Sequence, residues 1–474
     1  MERNESPAES CPVMRQQPGA TRGVQPPGPR GLPIVGVLPM IAKDPFGYLA
    51  SLQKRYGDVI KVPLPSISMI MVNHPDHIQR ILVQEAAKYQ LNPALKDAVT
   101  DLPYLPPFFA TLHGDPWRRV RRLLNPKFSN RTLGSTNALI AEAIWDGVES
   151  WDEFADAGKV IDIQHELHML AMAVLLRSMF SRPADRATVE QAVHAFEENA
   201  RGMALSAAFS WLPGWAPKPY QRRRVASSKW IAGYIDALVA ERRANPTDSD
   251  DLLNLLLNAS FEDGTKMDDM QIRAELRGLL FAGFETTATA LAWTFAKLCQ
   301  HPDALALARA EVNEHLGTGR PLDGALPEMP WLRACFEEAQ RMQSNSMTVL
   351  SRRAAEDDVI DGYRIPAGAI VGWSATALYN DERFWTQPER FDPNRFLSGD
   401  VERYAFPLFS FGQRRCLGIN FAYLEGVQVM AAVLQRFDVS LDPQHTVTRQ
   451  HNFGAARVKG GLPVTLRRRT QSRA

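Results

Sequence analysis

The chain has 474 residues, with 54 Lys and Arg against 53 Asp and Glu, so its net charge is +1. Hydrophobic residues make up 45% and charged residues 23%, which excludes a mostly disordered, a collagen-like or a polytopic membrane chain. The balanced charge gives no drive toward nucleic acid or an anionic membrane, while the length is enough to enclose a sizeable cofactor.

The first 25 residues are polar, lack the apolar core of a signal peptide, and are expected to form a flexible tail. PPGPR at 26–30 is a stiff, extended lead-in. Residues 45–56 read as helix, and 58–63 and 67–72 as two short strands. His74-Pro75-Asp76 opens a helix, with Pro in its first turn. Residues 88–114 form a long irregular stretch of the functional kind, because Phe108 and Phe109 argue against disorder. From Asp115 to about residue 345 nearly everything reads as helix, with a break at WLPGW, 211–215. Within it, residues 279–298 approach transmembrane length, but Glu285 beside Thr286, Thr287 and Thr289 would be costly in lipid, so a buried helix is expected. Asp268 is the N-cap residue for a helix to about His301, spanning on the order of 50 Å. Residues 350–400 read as short strands and turns, 406–415 as a compact loop, and 417–437 as an apolar helix. RVKGGLPVTLRRR, 457–469, reads as a terminal hairpin. With no repeat and no linker, one mainly α unit with a minor β portion is expected over residues 26–474, without a membrane anchor, soluble and cytoplasmic.

Cys11, Cys299, Cys335 and Cys416 are too few for a disulfide framework and form no zinc-type cluster. His165 and His168 read as surface or capping histidines. Cys416 is different, because it closes the loop FSFGQRRCLG at 409–418. An anionic metal ligand must lose its thiol proton, whose ordinary pKa is about 8.5. A helix start favours that charge. Gly412 permits a tight turn that aims N–H groups at the sulfur, Gly418 allows close approach of a flat ligand, Phe409 can shield the sulfur, and Arg414 offers donors to a carboxylate. The plainer reading of one such cysteine is a buried thiol at a helix start, but six further loop positions fit a ligand site. AGFETT at 282–287 puts Gly, Glu and Thr in mid-helix, suited either to a helix–helix contact or to a proton relay in which a hydroxyl stands beside a carboxylate. Glu338 and Arg341 form an i,i+3 pair, which alone would be a surface salt bridge of little worth.

The loop resembles the haem-binding signature FxxGxRxCxG of the cytochrome P-450 family at every fixed position. WxxxR at 117–121, AGxETT, ExxR at 338–341 and PxRF at 393–396 match further family motifs in family order, so the resemblance covers nearly the whole chain. It implies a soluble, bacterial-type haem-thiolate monooxygenase, with haem b between the long central helix and the cysteine-loop helix. Cys416 would be the proximal iron ligand. Trp117, Arg121 and Arg414 would bind propionates, with Arg352 as the further candidate and Arg353 as its rival. Ala282 and Gly283 would give room above the haem, Thr286 would hold an oxygen–water network, and Glu285 would assist proton delivery. Glu338, Arg341 and Arg395 would be a buried triad bracing the cysteine loop. Arg118, Arg119 and Arg122 read equally as a solvated helix face or as a basic patch steering an electron donor.

No flavin or nicotinamide domain fits the remaining length, so electrons are expected from a separate ferredoxin or flavodoxin-type donor with its NAD(P)H reductase. The implied reaction hydroxylates or epoxidises an apolar small molecule, such as a terpenoid, polyketide or fatty acid, in a monomeric enzyme. Its pocket is expected along residues 88–114, near Phe281 and Phe284, and around a mobile aromatic lid at 211–215. A peroxide-driven or rearranging haem-thiolate enzyme is the alternative within haem chemistry, and a haem-containing sensor the alternative outside catalysis. After Arg341 the chain reads MQSNS where many relatives carry Leu and Pro, so this stretch carries no substrate inference.

Overall fold

Asp268 caps the longest helix, Asp269–Gln300, by accepting from the Gln271 N–H at 2.7 Å, a contact worth about 1 kcal/mol. From Gly278 onward this helix is apolar or small-sided nearly all round, which is the pattern of a helix buried within protein. The computed structural model describes residues 23–65, 67–93, 107–208, 220–317, 320, 328–343, 349–450 and 456–469. The helices that frame the site are α1 (Pro45–Tyr56), α2 (Gly114–Leu124), α3 (Asn130–Glu149), α4 (Ile163–Phe180), α5 (Arg186–Ala208), α6 (Gln221–Ala244), α7 (Asp269–Gln300), α8 (Pro330–Met342) and α9 (Ile419–Arg436). Helix α7 packs against α4, α6, α8 and α9, and their apolar faces share one large core that includes Leu175, Leu280, Phe284, Trp293 and Phe336. Among the described residues, no helix is long and apolar enough to cross a membrane.

The β portion is small. Strands β1 (Val59–Leu64), β2 (Ile67–Val72), β3 (Tyr89–Leu91), β5 (Val349–Ala354) and β8 (Ile370–Ser374) form a sheet in the order β1-β2-β8-β5-β3. Its β2–β8 pair is parallel, with Met69 opposite Ile370, and its other pairs are antiparallel. Strands β6 (Asp358–Ile360) and β7 (Tyr363–Ile365) pair with each other. The molecule is therefore mainly α with minor β, as the sequence pattern indicates.

Several boundaries differ from the sequence reading. Strand β4 (Val160–Asp162) interrupts the helical run, because it pairs with β10 (Pro463–Arg468), which in turn pairs with β9 (Phe437–Leu441). The expected terminal hairpin is thus not a closed unit: Val458 bridges to Arg449, and after the turn at Gly460 and Gly461 the strand crosses to partners far away in sequence. Val24 already pairs beside Tyr363, with its N–H on the Gly362 carbonyl at 3.0 Å, so backbone pairing begins before residue 26. The expected lid at 211–215 and the MQSNS stretch beyond Gln343 lie outside the described residues, as does much of 88–114.

Candidate active site

The cysteine loop is a tight structure fixed by its own backbone. A 3-10 turn covers Gly412–Arg414, and α9 starts only at Ile419, so Cys416 stands just ahead of the helix. The Cys416 N–H donates to the Phe409 carbonyl at 2.8 Å, and the Arg415 N–H to that of Gly412 at 3.1 Å. Gly412 has φ +68°, and a Cβ there would lie 2.1 Å from the Leu82 carbonyl oxygen. Only glycine meets both demands. Gly418 is different, since a Cβ on it would point into open space along the cavity wall.

Cys416 is exposed only in the sense that it opens onto this cavity, for protein surrounds the thiol on its other sides. Burial pushes its pKa up, against a backbone hydrogen bond at Gly418 and the charges of Arg121 and Arg415. The cavity is also lined by Trp117, Arg121, Ala282, Gly283, Thr286, Arg352, Phe409, Arg414 and Gly418. The elements α2, α7, β5 and the cysteine loop therefore bring most of the expected residues together, but Glu285, Gly412, Phe281 and Phe284 do not line the cavity: Gly412 backs onto the Leu82 carbonyl, and Phe284 packs against His168 and Phe196.

Four arginines line this cavity, Arg121, Arg352, Arg414 and Arg415, and none of the first three has a carboxylate partner among the described residues. Arg121 donates to the Arg415 carbonyl at 2.9 Å, Arg352 to that of Ser351 at 3.0 Å, and Arg414 to that of Leu112 at 2.7 Å. Desolvation comes first in lowering all three, with Arg352 and Arg414 held at about 10. Arg352 further feels Arg414, and Arg414 feels Arg121. Arg414 also lies 4.5 Å from the centre of the Trp117 ring. Such a set needs an anion to balance it. Strand alternation separates the two rivals: Arg352 faces the cavity, while Arg353 reaches toward Gly368 on the other side. A soft sulfur at one wall and a fork of cations beside it suit a flat metal macrocycle with carboxylate arms, so the residues present fit haem.

Also in the cavity lining, the Thr286 hydroxyl donates to the Ala282 carbonyl at 2.8 Å. A Cβ on Gly283 would sit 2.8 Å from Leu175 Cδ2, so this glycine serves the close approach of α4 to α7 as well as lining the cavity. Glu285 does not line the cavity. Both of its oxygens accept from Arg457 Nη2 at 2.7 Å, and Arg457 Nη1 donates to Glu197 at 2.8 Å. Neither Arg457 nor Glu197 is marked by a local signal in the sequence. His168, read as a surface or capping residue, is in fact fully buried against the Phe284 ring, 6.2 Å between centres. Burial, aided by the Arg457 charge, lowers its pKa to about 4.

The charged brace is complete. Arg341 donates to both oxygens of Glu338 at 2.7 and 2.8 Å, with both side chains 0% exposed. Arg395 reaches Glu338 at 3.4 Å. Arg341 also donates to the carbonyls of Tyr379 and Pro388, and Trp385, Phe396 and Tyr379 all pack on Phe406, which leads into the cysteine loop. By contrast, the α2 arginines form no open basic patch: Arg118 pairs with Asp115, Arg119 with Asp263 at 2.8 Å and Arg122 with Glu262.

The family model for cytochrome P450 matches residues 26–463. The chain is 29% identical to the cyclooctat-9-en-7-ol 5-monooxygenase of Streptomyces melanosporofaciens, over 88% of this chain and 90% of that one. It is 26% identical to the ferruginol synthase of Salvia miltiorrhiza, over 93% of both, and 26% identical to the pentalenene oxygenase of Streptomyces avermitilis, over 88% of this chain and 92% of that one. The chain belongs to the cytochrome P450 family. It is a P450 monooxygenase, and its family's cofactor is haem iron.

Proposed function

We propose that the single unit over residues 26–474 holds haem b through the Cys416 thiolate and inserts one oxygen atom from O2 into a terpenoid, by hydroxylation or epoxidation. The observation that carries the reading is the convergence of one cysteine and three carboxylate-free guanidiniums on a single cavity. The relatives named for cyclooctat-9-en-7-ol and pentalenene support a terpenoid over a polyketide or fatty acid. Trp117, Arg121, Arg352 and Arg414 bind the propionates, Gly418 leaves space for the ring, and Phe409 excludes water from the sulfur. Haem bound there supplies dioxygen and one-electron chemistry.

The chain's own part is to orient the substrate and manage protons. Thr286 lines the cavity with its Oγ1 proton on the Ala282 carbonyl. Glu285 is the proton source behind it, and because Arg457 holds both of its oxygens, it must turn away from Arg457 to reach Thr286. Electrons come from a separate ferredoxin or flavodoxin-type donor and its NAD(P)H reductase, to a monomeric, cytoplasmic enzyme. Reduced protein under carbon monoxide is expected to give the strongly red-shifted band of thiolate ligation, and Cys416→Ser to abolish it. A normal band in the Cys416→Ser variant would overturn the reading.

A further inference from the structure

Around the cavity, one wall is built from a very short segment. A 3-10 turn, Phe109–Thr111, brings Phe109 into the lining of the cavity that Thr286 and Cys416 also line. So short a turn has little stability of its own. It is secured at three points from outside. The Phe109 N–H donates to Glu275 Oε2 on α7 at 3.0 Å, in a buried contact. The Phe108 ring packs on Gly278, one helical turn further along, where a Cβ would fall 2.2 Å from ring atom Cδ2. The Leu112 carbonyl accepts from Arg414 of the cysteine loop at 2.7 Å. Inside the turn, the Thr111 N–H and hydroxyl both donate to the Phe108 carbonyl, at 2.8 and 2.9 Å.

Glu275 is a costly residue to keep there. It is fully buried, and its second oxygen accepts from Gln271. Burial raises its pKa to about 7, and the Phe109 amide is the first group that opposes the rise. A carboxylate that merely filled helix surface would be replaced by an apolar side chain at a gain. The arrangement makes sense if the helix needs an acceptor at this position for an amide that would otherwise be orphaned.

We propose that Glu275 and Gly278 form a seat on the long helix that fixes Phe109 as a rigid wall of the substrate cavity, making them positioning residues for substrate selection. This rests on the haem-monooxygenase reading only in taking the cavity to be the substrate's. A rigid aromatic wall favours compact apolar molecules that lie against its ring. It acts by pre-organisation, since a ligand then need not order the turn itself.

The test uses the purified full-length protein and two readouts. One is amide hydrogen exchange of the segment around residues 109–112, and the other is spectral titration with imidazole and with 4-phenylimidazole. Glu275→Leu is expected to speed exchange of the turn by about tenfold, the loss of one buried charge-assisted hydrogen bond. It is expected to weaken 4-phenylimidazole by a similar factor while leaving imidazole unchanged. Glu275→Gln keeps an acceptor and should restore both readouts. Gly278→Ala should reproduce the Glu275→Leu pattern by displacing the Phe108 ring, and it carries the test if the leucine variant does not fold. Unchanged exchange in Glu275→Leu or Gly278→Ala, or equal weakening of the two probes, would overturn the proposal. A protein with no thiolate carbonyl band whose turn still exchanges faster in Glu275→Leu would sink the haem reading and leave the seat standing.

Discussion

Gly412 shows how far one residue can be constrained. Its φ of +68° suits glycine, and the Leu82 carbonyl occupies the place of any side chain. Ser410, two residues earlier, holds φ +58° without that freedom, so the loop already stores strain. Gly412→Ala should cost several kcal/mol, because backbone meets backbone with no flexible side chain to give way. The expected outcome is poor haem loading, read as the ratio of haem to protein absorbance. An alanine variant that loads normally would show that Leu82 yields easily. Arg121, Arg352 and Arg414 in the cavity make the complementary point. The sequence marks Arg121 and Arg414 through their motifs, yet choosing Arg352 over Arg353 took the strand's alternation, which decides which side chain faces the cavity.

Among the elements, the brace on α8 links the helix to the backbone at Tyr379 and Pro388 and, through Phe406, to the cysteine loop. Arg341 is fully buried and takes its neutralising charge from Glu338. Removing the acid leaves a buried cation, so Glu338→Ala should destabilise the protein by about 3–5 kcal/mol. Thermal unfolding followed by far-UV circular dichroism checks this, and a shift of only a degree or two would contradict it. The route to the loop runs through Trp385, Phe396 and Phe406, whose mutual packing no spacing in the sequence announces. Helix α2 gives the opposite lesson. Its run of arginines looks like an exposed basic face, but Asp115, Glu262 and Asp263 neutralise it, two of them from a turn some 140 positions away.

For the whole molecule, the clearest expectation concerns pH. Glu425 on α9 is wholly buried, with its oxygens short of a well-formed hydrogen bond, although the Thr287 hydroxyl favours its charge a little. Desolvation raises it to about 8, and Glu275 to about 7. A carboxyl raised on folding binds its proton more tightly in the native state. Its contribution is fully present below the ordinary carboxyl range and is lost as pH climbs through the raised value. Stability should therefore fall between pH 5 and pH 8 as these two groups ionise. Glu425→Gln should flatten most of that fall, as thermal melts at the two pH values would show. A melting temperature that rises toward pH 8 would count against it.

The sequence by itself determined the class of fold, the long helix with its Asp268 cap, and the cysteine loop. These are set by local periodicity, capping chemistry and a motif within ten residues, and such signals survive without neighbours. Only the tertiary structure decided what Glu285 touches, that His168 is buried, that β10 leaves its expected hairpin for β4 and β9, and that Glu275 seats the Phe109 turn. Each depends on residues tens to hundreds of positions apart meeting in a low-dielectric interior. Burial and pairing there, not residue type, set the charge state of a side chain and the direction in which it points.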